Sequence, residues 1–464
     1  MTALQRPYIF RDPLHGDIPF ARDGLHELVR KVVDEEMFQR LRGIKQNGVL
    51  NLVFHGAEHS RFAHSLGAAH LAGRMYDAAC KNSSRTIDLD ERRLVVLAGL
   101  LHDVGHGPFS HLLEEVLGKR HFHHETLTTR IIGDDDSPIS RHLRTYDPEL
   151  PDKLLPFVDY AKRIHNHWYY DLVSSQIDAD RLDYTARDAM MAGIVSHRFD
   201  RDRLIGALYV WRDDSAASEA ANDEELVVDD RAFDIVENYL FALHNLYRSV
   251  YFHHTVRAVS WLLNAAIRRA RDLARTGEDH RQKLFPEVGG QRDPLWALME
   301  DGNRVSLSTY AQLDEPHVWS LIRRWRTAED ATLADLCNRL KQRRYPKAIE
   351  LPNDASKLVQ LIDHAKKHTR ELHPNLDVDS YVHIDRIDRT TYTPYRWTVE
   401  NHRDSGEKPI LLLSKSGEKR PIEHEAAATL KLLDTRFEIE RLLVLEEVRT
   451  HLQSTAHDKL GSER

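Results

Sequence analysis

Cysteine is scarce: Cys80 and Cys337 are the only two in 464 residues, too few for a disulfide framework or a thiolate zinc site. A reducing compartment fits that scarcity, although two free thiols exclude no other. No apolar run approaches the roughly 18 residues that a membrane-spanning helix needs. The opening MTALQRPYIFRDP has no charged segment followed by an apolar one. No signal peptide is therefore expected, and a cytoplasmic location is. Excess positive charge is also missing. The 65 Lys and Arg stand against 73 Asp and Glu, a formal net charge of −8, so nucleic acid is not indicated at whole-chain level. A local basic patch stays open. The absence of a G-x-x-x-x-G-K-[ST] loop leaves a P-loop ATPase without support. Internal repeats and long low-complexity tracts are lacking too.

What remains is an ordinary globular composition, 41% apolar and 30% charged, with 29 histidines, several of them close together. Histidine enrichment directs attention to metal. The length exceeds what one hydrophobic core serves, which predicts a large lobe over 1–285 and a smaller one over 286–464. Residues 1–20, with Pro7, Pro13, Gly16 and Pro19, read as an extended arm or a hairpin. Apolar spacings of three and four predict helix over 23–46 and 61–79, and LVVLAGLL within 92–101 predicts a buried central helix. Gly105, Gly107 and Pro108 end it, and helix resumes over 110–117. Residues 134–156, rich in Asp and Pro, read as a loop-dominated insertion, with helices around 157–170 and 173–192. Segments 204–211 and 226–228 flank an acidic stretch and read as a hairpin with a mobile tip; 231–274 is a long helical run. Helices over 315–342 precede short strands at 381–387, 390–399, 410–414 and 442–448, so the C-terminal lobe is α+β and the whole chain mainly α.

The strongest chemical signal is Leu100-Leu101-His102-Asp103-Val104-Gly105-His106-Gly107. Neighbouring helical side chains diverge by about 100°, so His102 and Asp103 can share a ligand only at a helix end, which Gly105 provides. Imidazole with carboxylate suits Mn, Fe, Ni or Zn. Upstream, His64 follows Arg61 on a helix; alone it is better read as a satisfied core or surface histidine than as a ligand. Downstream, Asp178, Asp180 and Asp183 crowd a helical stretch that alone reads as a solvated acidic face. Asp180 and Tyr184 share a face, and Asp183 is expected to point elsewhere.

Taken together, these segments carry a resemblance. Asp12-Pro13-Leu14-His15-Gly16, Phe38–Arg42, Ile44-Lys45-Gln46, Ser60–Ser65, His102–His111 and Asp178–Asp188 resemble, in order, the HD-domain dNTP triphosphohydrolases. The likeness is to the animal type that carries a sterile-alpha-motif domain, matched here in its HD catalytic part only. It covers about residues 6–260 and implies an HD helical core. By the resemblance, His64, His102, Asp103 and Asp180 hold a divalent metal (Mn, Fe, Mg, Ni or Zn). It further makes His106, His111, His124 and Glu114 the active-site acid–base group, although Arg120–Glu125 offers rival registers for His124. Arg61 and Arg181 then face the phosphates, Gln46, Tyr184 and Asp188 the sugar, and Tyr251 the deoxyribose and base. Asp34, Gln39 and Arg42, with Arg203, match an allosteric pocket for GTP or a dNTP, and a homotetramer is implied; without the resemblance they read as an exposed helix face.

There are departures. Arg181 stands where the family has lysine, Glu114 where it has Asp, and Leu243 where it has a triphosphate-binding arginine. The residue types support hydrolysis at the α-phosphorus, releasing deoxynucleoside and triphosphate. Two rivals stay open: another HD phosphohydrolase, acting as a nucleotide phosphatase or phosphodiesterase, and a nucleotide-sensing HD module without turnover. Nucleotide-pool control and antiviral defence both fit such an activity.

Overall fold

The structure, a computed structural model, describes residues 7–20, 24–163, 167–195, 199–212, 224–352, 354–389, 408–425 and 437–461. Its first element is a hairpin. Strands β1 (Tyr8–Asp12) and β2 (Gly16–Phe20) pair antiparallel, and Asp12 Oδ1 accepts from the amides of Leu14 (2.8 Å) and His15 (3.1 Å) to fix the turn. The helix expected over 23–46 is divided: α1 (Leu25–Asp34) buries Leu25, Leu28, Val29, Val32 and Val33, then Glu35 turns extended. A short α2 (Glu36–Gln39) and a three-ten turn over Arg40–Gly43 follow. That break turns Phe38 and Leu41 into the core.

The central layer is helical. In α3 (Arg61–Asn82) Ser60 caps the first turn, and in α4 (Leu89–Leu101) Asp88 does so by accepting from Asp90 and Glu91. The apolar end of α4, Val95–Leu101, is wholly buried. Helices α5 (His111–Leu117) and α6 (His124–Gly133) follow the glycine-rich break.

Residues 134–156 are not a loop. They form α7 (Pro138–Tyr146) and most of α8 (Leu150–Val158). Pro138 and Pro151 occupy first turns, where no amide hydrogen is needed, Pro156 lies inside α8, and Ser137 caps α7. The helix expected around 157–170 is reduced to three-ten turns at Tyr160–Lys162 and Trp168–Leu172. Helix α9 (Ala179–Met191) starts later than 173, at the cap Asp178, whose carboxylate accepts from Arg181 N at 2.7 Å.

Residues 201–206 form α10 (Arg201–Gly206), so the hairpin starts only at β3 (Leu208–Arg212), paired with β4 (Glu224–Asp229). Its expected tip, 213–223, lies outside the described residues. The long helical run is α11 (Phe233–Leu246), a π turn at Tyr247–Tyr251 and α12 (His254–Ala274).

Beyond it come α13 (Glu278–Leu284), α14 (Pro294–Asp301), α15 (Leu307–Ala311), α16 (Glu315–Trp325) and α17 (Ala331–Gln342). The last section holds β5 (Lys347–Glu350), α18 (Ala355–Leu372), β6 (His383–Arg389), β7 (Leu411–Leu413), β8 (Lys419–Pro421), β9 (Phe437–Val444) and α19 (Glu446–Gly461). Strand β9 lies between β5 and β6. Strand β7 pairs parallel with β4, so β7 and β8 extend the sheet of β3 and β4 rather than that of β5, β9 and β6. The strand expected over 390–399 lies outside the described residues. The fold is mainly α with small sheets, and one continuous core runs from Ile18 to Val448. Among the described residues no helix is long and apolar enough to cross a membrane.

Candidate metal centre and active site

Three helix ends supply a single cluster. His64 sits on the first turn of α3, His102 and Asp103 follow the C-terminus of α4, and Asp180 lies on the first turn of α9. His64 Nε2 is 3.3 Å from His102 Nε2, 3.0 Å from Asp180 Oδ1 and 3.7 Å from Asp103 Oδ2. His102 Nε2 is 3.6 Å from both Asp103 Oδ1 and Asp180 Oδ1. The structure thus brings His64, His102 and Asp103 within 4.8 Å of one another, and Asp180 meets the two histidines of that group.

The donor chemistry fits a divalent cation. Each histidine has its other nitrogen committed: His64 Nδ1 donates to Asp183 Oδ2 at 2.8 Å and His102 Nδ1 donates to Gly99 O at 2.9 Å. Both Nε2 atoms therefore face inward as lone-pair donors, in the arrangement that orients imidazole ligands. Burial opposes charging of His64, yet Asp180 and Asp183 overcome it and lift its pKa to about 10. The pocket asks for positive charge at this point, from a proton or from a metal.

Asp183 does not point away, as the shared face of Asp180 and Tyr184 had implied. It lies one turn after Asp180, and the two carboxylates bracket the His64 ring from opposite nitrogens. Gly67 makes room: a Cβ there would stand 2.0 Å from Asp183 Oδ1. Burial alone would raise the Asp183 pKa, but Arg187 and the hydrogen bonds from His15 and His64 hold it well below the usual range. Residue reading missed Asp183, Arg187, Asp12 and His15 as site residues; the DPLHG segment was the one signal for the last two.

A second group adjoins the first. His106 Nε2 is 3.3 Å from Asp103 Oδ1, and its ring stacks on His124 at 3.8 Å. Gly105 permits this fold-back, since a Cβ there would meet His124 O at 2.3 Å. Glu114 accepts from His111 Nδ1 at 3.2 Å, from His124 N at 3.0 Å and from His124 Nδ1. His106, His111, His124 and Glu114 are therefore contiguous. Of the rival histidines, His121 turns to Met299 O (3.0 Å), and the His123 backbone amide binds Asn303. Burial, with Arg61 and His124 nearby, holds His106 well below the usual imidazole range.

Arg61 is buried, bonding Asp103, Ser110 Oγ (2.8 Å) and Gln46 O (3.2 Å). Arg181 is half-buried beside Asp178, 3.8 Å away. Farther along α9 than Asp180, Asp188 accepts from His59 Nε2 (2.7 Å) and from Tyr251 Oη. The π turn aims Tyr251 there, and burial pushes the Tyr251 and Tyr184 hydroxyls well above their usual range. Gln46 is buried, and its Oε1 has no hydrogen-bond partner. An unpaired buried acceptor is costly. His59 was missed by residue reading.

The positions expected from the resemblance to bind a regulatory nucleotide are only partly gathered. Arg42 Nε donates to Gln39 Oε1 at 2.8 Å, and Arg42 stacks over Phe62 at 3.6 Å. Asp34 is exposed at the end of α1. Arg203 stands on α10, which packs against α3 and α11, and its ion-pair neighbour is Asp234 at 4.0 Å.

The second half of the chain reaches this site through Glu315. Its Oε1 accepts from Lys45 N (2.9 Å) and Phe109 N (3.3 Å), bracing Gln46 and the loop in which Phe109 and Ser110 hold φ of 58° and 54°. Burial raises the Glu315 pKa to about 8. An acid raised on folding stabilises the native state fully below its unfolded pKa of 4.5 and loses that contribution as pH climbs to about 8. Glu315→Gln should therefore flatten the fall in stability across that window, as read by urea unfolding at several pH values. An unchanged slope would refute the assignment.

Comparison with known proteins agrees with this geometry. The HD domain family matches residues 61–188, which hold all four cluster residues. The "Uncharacterized protein YwfO" of Bacillus subtilis is 32% identical over 426 residues, 91% of this chain and 89% of that protein. The fold matches that of a phosphohydrolase from Bacteroides thetaiotaomicron with a TM-score of 0.75 and 23% identity, covering 95% of this chain and all of the other. The chain belongs to the HD-domain phosphohydrolases and is a divalent-metal enzyme of that superfamily. Among its relatives is the deoxynucleoside triphosphate triphosphohydrolase SAMHD1 of Gallus gallus, 29% identical over 293 residues, 56% of this chain. The chain spans 45% of that relative's length.

Proposed function

We propose that the protein hydrolyses deoxynucleoside triphosphates to deoxynucleoside and triphosphate. The observation that carries this reading is the unpaired amide oxygen of Gln46, whose backbone carbonyl accepts from Arg61, together with Asp188, which lies on the helix that carries Asp180 and is bonded by Tyr251. Such a group suits a sugar with a free 3′-hydroxyl. The name of the Gallus gallus relative supports the same substrate class.

His64, His102, Asp103 and Asp180 would hold the metal, with Mn, Fe, Mg, Ni and Zn all compatible with two imidazoles and two carboxylates. When bound, it supplies charge that polarises a phosphoryl oxygen and acidifies water. The protein's own groups do the rest. Arg61 and Arg181 offset negative charge growing on the phosphates. Water adds to the α-phosphorus, the bond to the 5′-oxygen breaks, and a histidine of the His106–His111–His124 group gives that oxygen a proton. Glu114 holds His111 and His124 in place for it. Leu243, buried in α11, offers no charge to the terminal phosphate.

Nucleotide regulation at Asp34, Gln39 and Arg42, with assembly into a homotetramer, belongs to the same reading. Arg42 and Gln39 already meet, and a purine edge with a phosphate would suit an acid, an amide and a guanidinium. Arg203 joins such a pocket only from outside this local cluster.

The test is a panel of dNTPs and NTPs with products identified by mass. Tyr184 and Tyr251 crowd the 2′ position, so dATP should turn over at least about a hundredfold faster than ATP. Equal rates on the two would sink the sugar assignment. Release of a single phosphate would favour the nucleotide-phosphatase reading, and no turnover with any metal would favour a sensor.

A further inference from the structure

The hairpin that opens the chain is bound to the metal cluster by a buried polar chain. His15, in the turn between β1 and β2, places Nε2 2.5 Å from Asp183 Oδ1, and both side chains are 0% exposed. Arg187 spans the same two partners. It donates to Asp183 Oδ2 through Nε (2.8 Å) and to Oδ1 through Nη2 (3.0 Å). Its Nη1 reaches Asp12 Oδ2 at 2.8 Å and its Nη2 reaches Asp12 Oδ1 at 3.3 Å. Asp12 also accepts the amides of Leu14 and His15, so the residue that anchors Arg187 shapes the turn that presents His15. The far end of the chain is the bond from His64 Nδ1 to Asp183 Oδ2.

Asp183 thus takes four side-chain hydrogen bonds, and two come from one helix neighbour, Arg187. The other two join parts of the molecule that have no sequence relation: the N-terminal turn and the imidazole whose opposite nitrogen faces Asp103, His102 and Asp180. A carboxylate with every lone pair engaged has one orientation. Without the His15 bond its Oδ1 would keep only the Arg187 contact, and the grip on the His64 ring would loosen.

We propose that the N-terminal hairpin is a clamp on the metal centre. Through His15 and Asp12 it fixes Asp183 against His64, so docking of the hairpin and occupancy by a divalent cation stabilise each other. The inference rests on the assignment of His64 as a metal ligand. Groups that orient a ligating histidine typically change metal affinity by about 10- to 100-fold when removed. Linkage makes the effect reciprocal: if the docked hairpin improves metal binding, metal must improve hairpin docking by the same factor.

Two measurements on the full chain, stripped of metal and titrated with Mn²⁺ alone, test this without any substrate. In calorimetry His15→Ala should raise the Mn²⁺ dissociation constant about tenfold, and His15→Gln, which can still donate to Asp183, should recover most of it. In hydrogen exchange of the wild type, saturating Mn²⁺ should slow the amides of residues 8–20, which needs no variant to fold. Wild-type affinity in His15→Ala, a Gln variant as weak as Ala, or hairpin exchange unmoved by bound Mn²⁺ would each overturn the clamp while leaving the metal assignment intact. Failure of the wild type to bind Mn²⁺, or any other divalent ion tried in its place, would overturn both.

Discussion

Turnover falls by more than about a thousandfold when His102 and Asp103 are replaced together by alanine, because several kcal/mol of charge stabilisation at the phosphoryl oxygen depend on the bound cation. The pair supplies two of four converging side chains, leaving His64 and Asp180 at 3.0 Å from one another as an incomplete set. The loss spreads further. Asp103 is the carboxylate to which both Arg61 and His106 are tied, so its removal frees a buried guanidinium and a buried imidazole at once. Asp103→Asn separates these effects, since it keeps the volume and part of the hydrogen bonding but not the charge. Metal content by mass spectrometry should fall with activity in both variants while the fold persists by circular dichroism. Full turnover in a double variant that carries no metal would end the case for this centre.

The chemistry of that centre was legible where it depended on residue type and order. Residue type and order singled out His102 and Asp103 at a helix end, whereas His64 and Asp180 joined them only through the resemblance to the HD-domain dNTP triphosphohydrolases, since alone they read as a satisfied histidine and a solvated acidic face. The supporting residues were not legible. Asp183 differs from Asp180 in nothing that sequence displays, and its role follows from the crossing of α3 and α9, which brings Gly67 under its carboxylate. His59 and Glu315 act through partners 129 and 206 or more residues away, a separation that no local pattern encodes.

The fold shows the same division. Apolar periodicity located α3, α4 and α12 because their burial is decided by one face or one end. It failed over 134–156, where Pro138 and Pro151 start helices rather than stop them. It also gave no hint that β7 and β8 would cross back to β4, since edge pairing between distant strands depends on which edge the rest of the chain leaves open.

The second large effect concerns proton delivery, and Glu114 decides it. Burial lowers the pKa of His124, and the Glu114 carboxylate offsets part of that fall. Glu114 itself stays ionised at any working pH: burial would raise it, but its bonds to His111 and His124 depress it well below the usual range. An acid that must be protonated to act is effective below its pKa and fails above it, so kcat should decline as pH rises through the His124 titration. Glu114→Gln keeps the shape and removes the offsetting charge. The declining limb should then move to lower pH, and kcat at pH 7 should drop by about tenfold or more, while KM and bound metal stay near their wild-type values. His124→Ala should cost about a hundredfold or more in kcat and remove that limb altogether. If His111 or His106 delivers the proton instead, the limb survives in His124→Ala. His111, exposed and held by the same carboxylate, would then lose it in His111→Ala. A Glu114→Gln enzyme with an unchanged pH profile would show that the carboxylate only positions the loop, and the acid would have to be sought among groups that Glu114 does not touch.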